Sequence, residues 1–180
     1  MNKLFVYLFK KAGWKVEGNL PKKEKKYLIV VAPHTSMLDF FVGIPTRIIA
    51  GFRVHFLVKK EMFYWPVGSV LKSLGGHPVD RVQKGGLVDQ VVDMYNQHEE
   101  FAIAVTPEGT RDYNPKWKTG FYYIATKANI PIVPLGMDFS RKTVFIGKPL
   151  YTTGKMDRDM EVLKSFFRPL RGRHPEKGVI

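Results

Sequence analysis

The chain of 180 residues, 44% of them hydrophobic, is long enough for one well-packed core and too short for two comfortable domains, so a single domain over residues 1–180 is expected. It contains no cysteine, which excludes disulfides, thiolate nucleophiles and zinc–thiolate sites. With 29 basic against 16 acidic side chains its formal charge is +13, a field that favours polyanions, whether nucleic acid or an anionic membrane surface.

Residues 1–14 interleave Leu4, Phe5, Val6, Leu8, Phe9 and Trp14 with Lys3, Lys10 and Lys11. This amphipathic pattern predicts a helix within residues 1–20 that lies in a membrane interface or packs on the protein's own core. A secretory signal fits poorly, because Lys10 and Lys11 interrupt the apolar stretch and no small-residue cleavage site follows. No run approaches the roughly 18 apolar residues of a spanning helix, so membrane association is expected to be peripheral.

After the charged turn at 21–26, residues 27–32 (YLIVVA) form a short apolar, β-branched run bounded by Pro33, the signature of an internal strand. His34 and Asp39 follow, five positions apart. If Ser36 opens a helix over residues 36–50, the Asp39 side chain can fold back towards the imidazole, as a general base and its orienting acid require. The same residues also read as a helix N-cap, with Asp39 favoured by the helix dipole and no chemistry implied.

A strand is predicted at 54–58 and a helix at 66–74, stopped by Gly75 and Gly76. Between them Phe63, Tyr64 and Trp65 read first as aromatic core and second as an interfacial patch. An extended piece at 77–80 ends at Arg81. A helix over 86–98 shows its stripe in Leu87, Val88, Val91, Val92 and Met94, and the buried strand 101–105 runs into Pro107-Glu108-Gly109-Thr110-Arg111. A helix at 117–128, strands at 130–135 and 143–146, and a helix at 156–170 with a basic tail through Arg171, Arg173 and Lys177 complete the chain. Strands alternating with helices predict an α/β fold with a mixed, largely parallel central sheet flanked by helices. His55, His77, His98 and His174 lack zinc-ligand spacing, and Gly85-Gly86 lacks the rest of a phosphate loop.

Four motifs stand in one order: the HxxxxD of His34 and Asp39, residues 76–81 ending in Asp80-Arg81, PEGTR at 107–111, and IPIVPL at 130–135. Together they resemble the glycerolipid acyltransferase family, whose best-known members are the 1-acylglycerol-3-phosphate acyltransferases, over about residues 27–136. The resemblance implies His34 as general base and Asp39 as its orienting acid. It also implies Glu108, Gly109, Thr110 and Arg111 as contacts for the acceptor's phosphate or head group, with Arg81 a further contact for an acceptor anion.

The activity so implied is that of a membrane-associated O-acyltransferase at the cytoplasmic face of the membrane. It would move a fatty acyl group from acyl-CoA or acyl-carrier protein to the hydroxyl of a lysolipid, by default 1-acylglycerol-3-phosphate, with no cofactor and no metal. Three positions depart from the family's common pattern: Pro33 before the histidine, the second motif reading HPVDR, and Asp112 after Arg111. A lysolipid bearing an amino acid therefore stands beside lysophosphatidate as acceptor. A hydrolase using the same His34 and Asp39 on a thioester or lipid ester is the second function. A basic nucleic-acid-binding protein is the third; it accounts for the charge but not for the motifs.

Overall fold

The apolar run predicted at 27–32 is buried because neighbours cover both of its faces. A computed structural model of the chain describes residues 2–51, 53–80 and 86–179. In order, the elements are α1 (Asn2–Lys11), β1 (Lys15–Glu17), β2 (Lys26–Ala32), α2 (Leu38–Ile49), β3 (His55–Lys59), a 3₁₀ turn (Lys60–Met62), α3 (Val67–Ser73), β4 (Gly76–Val79), α4 (Gly86–Gln97), β5 (Phe101–Val105), α5 (Gly120–Ala128), β6 (Ile132–Asp138), β7 (Thr143–Ile146), α6 (Met156–Phe167) and a second 3₁₀ turn (Pro175–Lys177). The strands form one sheet in the order β1-β7-β6-β2-β5-β3-β4. All neighbours are parallel except β6 and β7, so the mixed, largely parallel sheet expected from the sequence is present.

Alternation along β2 divides the core. Leu28 and Val30 point to one face, where Tyr95 of α4, Phe121 of α5 and Phe167 of α6 cover them. Tyr27 and Ile29 point to the other, where they meet Phe9 of α1 and Val42 of α2. The buried hydroxyl of Tyr95 donates to the Tyr27 carbonyl at 2.8 Å and accepts from the Ile103 amide at 3.2 Å, tying α4 to both central strands with its polar atom satisfied.

Several elements depart from the sequence reading. Lys15–Glu17 is a strand, although Val16 is its one apolar side chain; pairing with β7 makes it so. The helix expected from 117 starts at Gly120, while Trp117 is buried against Phe167 with ring centroids 5.7 Å apart. The first helix packs on the protein's own core through Phe9, which is buried, while Leu4, Tyr7 and Leu8 face outward. The core reading of 63–65 holds only for Phe63, which is half-buried; Tyr64 is 59% and Trp65 85% exposed.

Candidate active site

In a parallel sheet the loops that follow the strands gather at one edge, and ligand sites form there. Strand β2 lies between β6 and β5, so the segment after Ala32 emerges beside the loop after Val105. This register brings His34 to Glu108 across 74 positions of sequence: the His34 amide donates to Glu108 Oε2 at 2.8 Å.

The loop from Pro33 to Met37 wraps around a single carboxylate oxygen. Asp39 Oδ2 accepts from His34 Nδ1 at 2.9 Å, from the Thr35 amide at 2.9 Å and from the Ser36 amide at 3.0 Å. A carboxylate only accepts, so Nδ1 carries the hydrogen and Nε2 is the basic nitrogen; Nε2 has no protein partner among the described residues. Helix α2 begins at Leu38 rather than Ser36, and Asp39 is 2% exposed. Its other oxygen, Oδ1, is buried with no hydrogen-bond partner among the described residues, a cost of about 1–3 kcal/mol carried at the site. One Asp39 oxygen thus both pins the turn before α2 and holds the imidazole.

The PEGTR loop divides its side chains. Glu108 turns inward and is 4% exposed; burial raises its carboxyl to about 7, against the opposing pull of the His34 amide it accepts. Thr110 and Arg111 face solvent. Gly109, between Glu108 and Thr110, has φ +68°, a left-handed conformation that glycine adopts freely, and a Cβ there would fall 2.6 Å from Lys118 Cε. The loop is held by Asn114, whose side-chain amide donates to the Glu108 carbonyl at 2.8 Å, and by the Lys118 amide on the Pro107 carbonyl at 2.8 Å. Arg81 lies outside the described residues.

A cavity of about 310 Å³ runs from this edge between the sheet and α2. His34 and Asp39 stand at one end of α2's contribution and Arg47 at the other, about 12 Å along the helix, with Val54 and Leu74 beside Arg47. Ile29, Phe56, Ala104, Leu135 and Met137 also line it, so the cavity is largely apolar, with His34 and Asp39 at one end and Arg47 at the other. Arg47 Nη1 donates to the Leu74 carbonyl at 2.6 Å. No group of three or more potential metal ligands occurs among the described residues.

The C-terminal segment also reaches the site, a contact with no local signal in the sequence. The His174 amide donates to Thr35 Oγ1 at 3.2 Å, and a Cβ on Gly172 would fall 2.7 Å from the same oxygen. Asp138, buried at the end of β6, accepts from the Arg171 amide at 3.3 Å and pairs with Arg141 at 2.8 Å. Lys177 Nζ meets Asp112 Oδ1 at 2.8 Å, and this hydrogen bond holds the Asp112 carboxyl below its ordinary range. The acid next to Arg111 therefore faces a cation of its own.

The family model described as Acyltransferase matches residues 13–138. Among curated proteins, the human 1-acyl-sn-glycerol-3-phosphate acyltransferase beta is 26% identical over 161 residues, covering 83% of this chain and 55% of its own length. The 1-acyl-sn-glycerol-3-phosphate acyltransferase of Limnanthes douglasii is 26% identical over 152 residues, covering 78% and 52%. The chain thus spans about half the length of these relatives. Among solved structures, the 1-acyl-sn-glycerophosphate acyltransferase PlsC of Thermotoga maritima superposes with a TM-score of 0.59 at 23% identity, over 92% of this chain and 77% of that one. It shares the α/β fold.

Proposed function

Because the chain belongs to the Acyltransferase family, we propose that residues 1–180 act as one domain transferring a fatty acyl group from a thioester donor, acyl-CoA or acyl-carrier protein, to the hydroxyl of a lysolipid, by default 1-acylglycerol-3-phosphate. The observation that carries this reading is the pair of His34 Nδ1 and Asp39 Oδ2, 2.9 Å apart, at the end of an apolar cavity suited to an acyl chain.

An alcohol holds its proton far above pH 7 and attacks a thioester only as a base removes that proton. His34 Nε2 takes it while the alcohol oxygen bonds to the thioester carbon, and Asp39 fixes the tautomer and stabilises the imidazolium. When the C–S bond breaks, the imidazolium returns the proton to the leaving sulfur. No covalent acyl-enzyme is formed. In this reading Glu108 acts through the backbone of His34, holding it over the end of β5, and the exposed Arg111 meets the acceptor's phosphate.

The tetrahedral oxyanion needs donors, and amide bookkeeping narrows them. From His34 to Phe40 every backbone N–H is committed to a protein acceptor except that of Met37, which has none among the described residues: His34 gives to Glu108, Thr35 and Ser36 to Asp39, Leu38 to Ser36 Oγ, Asp39 to the Ser36 carbonyl and Phe40 to the Met37 carbonyl. The Gly109 amide is held by the Thr106 carbonyl at 3.2 Å. The Met37 amide, at the positive end of α2, is the donor this mechanism assigns.

The test uses the purified chain with an acyl-CoA or acyl-carrier-protein donor, with and without 1-acylglycerol-3-phosphate. Thiol release is followed with Ellman's reagent, against which a chain without cysteine gives no background, and products are read by mass spectrometry. Thiol release that requires acceptor, with matching diacyl product, is expected. Release at an unchanged rate without acceptor, yielding free fatty acid, would identify a hydrolase instead. An acceptor panel that includes an amino-acid-bearing lysolipid reads the head group. Peripheral seating on the membrane's cytoplasmic face, through the outward side of α1, completes the proposal; no helix among the described residues is long and apolar enough to cross a membrane.

A further inference from the structure

The segment between β3 and α3 exposes apolar side chains that the fold does not need outside. Trp65 is 85% exposed, Tyr64 59%, Met62 46% and Val70, in the following helix, 56%. A large aromatic ring held in water is unfavourable unless something covers it. These side chains are not on a loose loop. The Gly68 amide donates to the Tyr64 carbonyl, the Phe63 amide to the Lys60 carbonyl and the Ser69 amide to the Pro66 carbonyl. A Cβ on Gly68 would fall 2.8 Å from the Phe63 carbonyl carbon, so the backbone is folded tightly on itself with Phe63 inward and Trp65 outward.

The charges around these side chains specify the covering surface. Lys59 and Lys60 stand exposed at the start of the segment and Lys72 at its end, against one acid, Glu61. An aromatic tip flanked by lysines matches the boundary between anionic lipid head groups and acyl chains, where Trp and Tyr are favoured and nearby cations are drawn to the anionic surface. Topology places the tip at the site. Strand β3 runs parallel to β5, so the chain leaves Lys59 at the sheet edge that carries His34 and Glu108. The first turns of α2 add Leu38 and Phe41, 46% and 57% exposed.

We propose that residues 59–70 are a second membrane anchor, separate from α1, which inserts Tyr64 and Trp65 into an anionic bilayer surface and so sets the His34 end of the cavity at the depth of the lipid ester region. The proposal rests on the acyltransferase reading for its purpose. Its test has a readout independent of activity. The absence of cysteine allows a single nitroxide label at Trp65→Cys, with Tyr64→Cys as a second position, Tyr7→Cys reporting α1, and Val162→Cys on α6 of the opposite layer as an aqueous control.

Oxygen and nickel-chelate accessibilities are measured with and without vesicles of phosphatidylcholine and phosphatidylglycerol, and with phosphatidylcholine alone. Labels at 65 and 64 are expected to move to an oxygen-rich, nickel-poor depth on the anionic vesicles while the label at 162 stays aqueous. Vesicle affinity of Tyr64→Ser/Trp65→Ser is expected to fall at least about tenfold. Labels at 64 and 65 that stay aqueous while the label at 7 is immersed would assign docking to α1 alone and overturn the proposal. Equal immersion in phosphatidylcholine alone would overturn its anionic specificity. Self-association of the unlabelled chain that Trp65→Ser abolishes would make a second copy the occupant. If no vesicle binding occurs, the anchor is wrong, and thiol release on detergent-dispersed substrates shows separately whether the acyltransferase reading stands.

Discussion

Asp39 concentrates three hydrogen bonds on one oxygen, so its removal both frees the imidazole and unpins the turn that carries it. Asp39→Asn keeps an oxygen acceptor of similar shape but loses the charge that stabilises the imidazolium. Turnover is expected to fall by roughly 10³–10⁴, with the far-ultraviolet circular dichroism unchanged. His34→Ala is expected to abolish transfer outright; steady-state thiol release measures both. Arg111→Ala, at an exposed side chain, is expected to raise the acceptor KM with smaller loss of turnover, whereas a fall in turnover at unchanged KM would remove the phosphate role. At this scale much was legible: the spacing of His34 and Asp39 predicted their contact, which the structure shows at 2.9 Å. The opposite directions of Glu108 and Arg111 were not, because Asn114 and Lys118 set them from outside the motif.

Helix α2 supplies the cavity wall, the capped turn and the Met37 amide together. Met37 has φ −64°, the angle proline requires, and its N–H has no protein partner among the described residues, so Met37→Pro deletes one donor at a position where a helix tolerates proline. The variant is expected to fold, with a midpoint near that of Met37→Ala, and to lose about 10²–10³ in turnover relative to it. Parity between the two variants would move the oxyanion contact elsewhere. The central strands and long helices could be read from periodicity because burial on both faces of β2 demands an unbroken apolar run. The short edge strand β1 could not, since Lys15, Val16 and Glu17 carry no pattern and β7 supplies the ladder. Trp117 drew the helix prediction too early, being apolar but packed from the loop side.

Across the whole molecule, a half-buried histidine pair and the buried Glu108 oppose one another in pH. His55 and His77, 2.8 Å apart at their ring nitrogens, have pKa values lowered first by burial, then for His55 by His77 and for His77 by His98. Below about 6.5 the unfolded chain binds protons that these folded imidazoles refuse, so their contribution is present above that pH and is lost as pH falls. Glu108 is raised, and between its unfolded value of 4.5 and about 7 the folded chain binds the extra proton, so its contribution is lost as pH rises through that window. Glu108→Gln removes the second effect alone. Its stability relative to the parent is expected to increase steadily from pH 4.5 to 7 in urea titrations; a constant difference would mean that Glu108 is ionised in the fold throughout. None of this was legible from composition, because Glu108 acquires its environment from a partner 74 positions away.

That separation has a kinetic side. The bond between His34 and Glu108 closes only after β2 and β5 have found their register, and β2 must also accept β6 on its other edge before the cavity has a wall. Parallel pairings between distant segments form late and slowly, since loop closure precedes any reward from contact. During refolding from denaturant, catalysis should therefore reappear with the slowest recovery of near-ultraviolet ellipticity and never ahead of it.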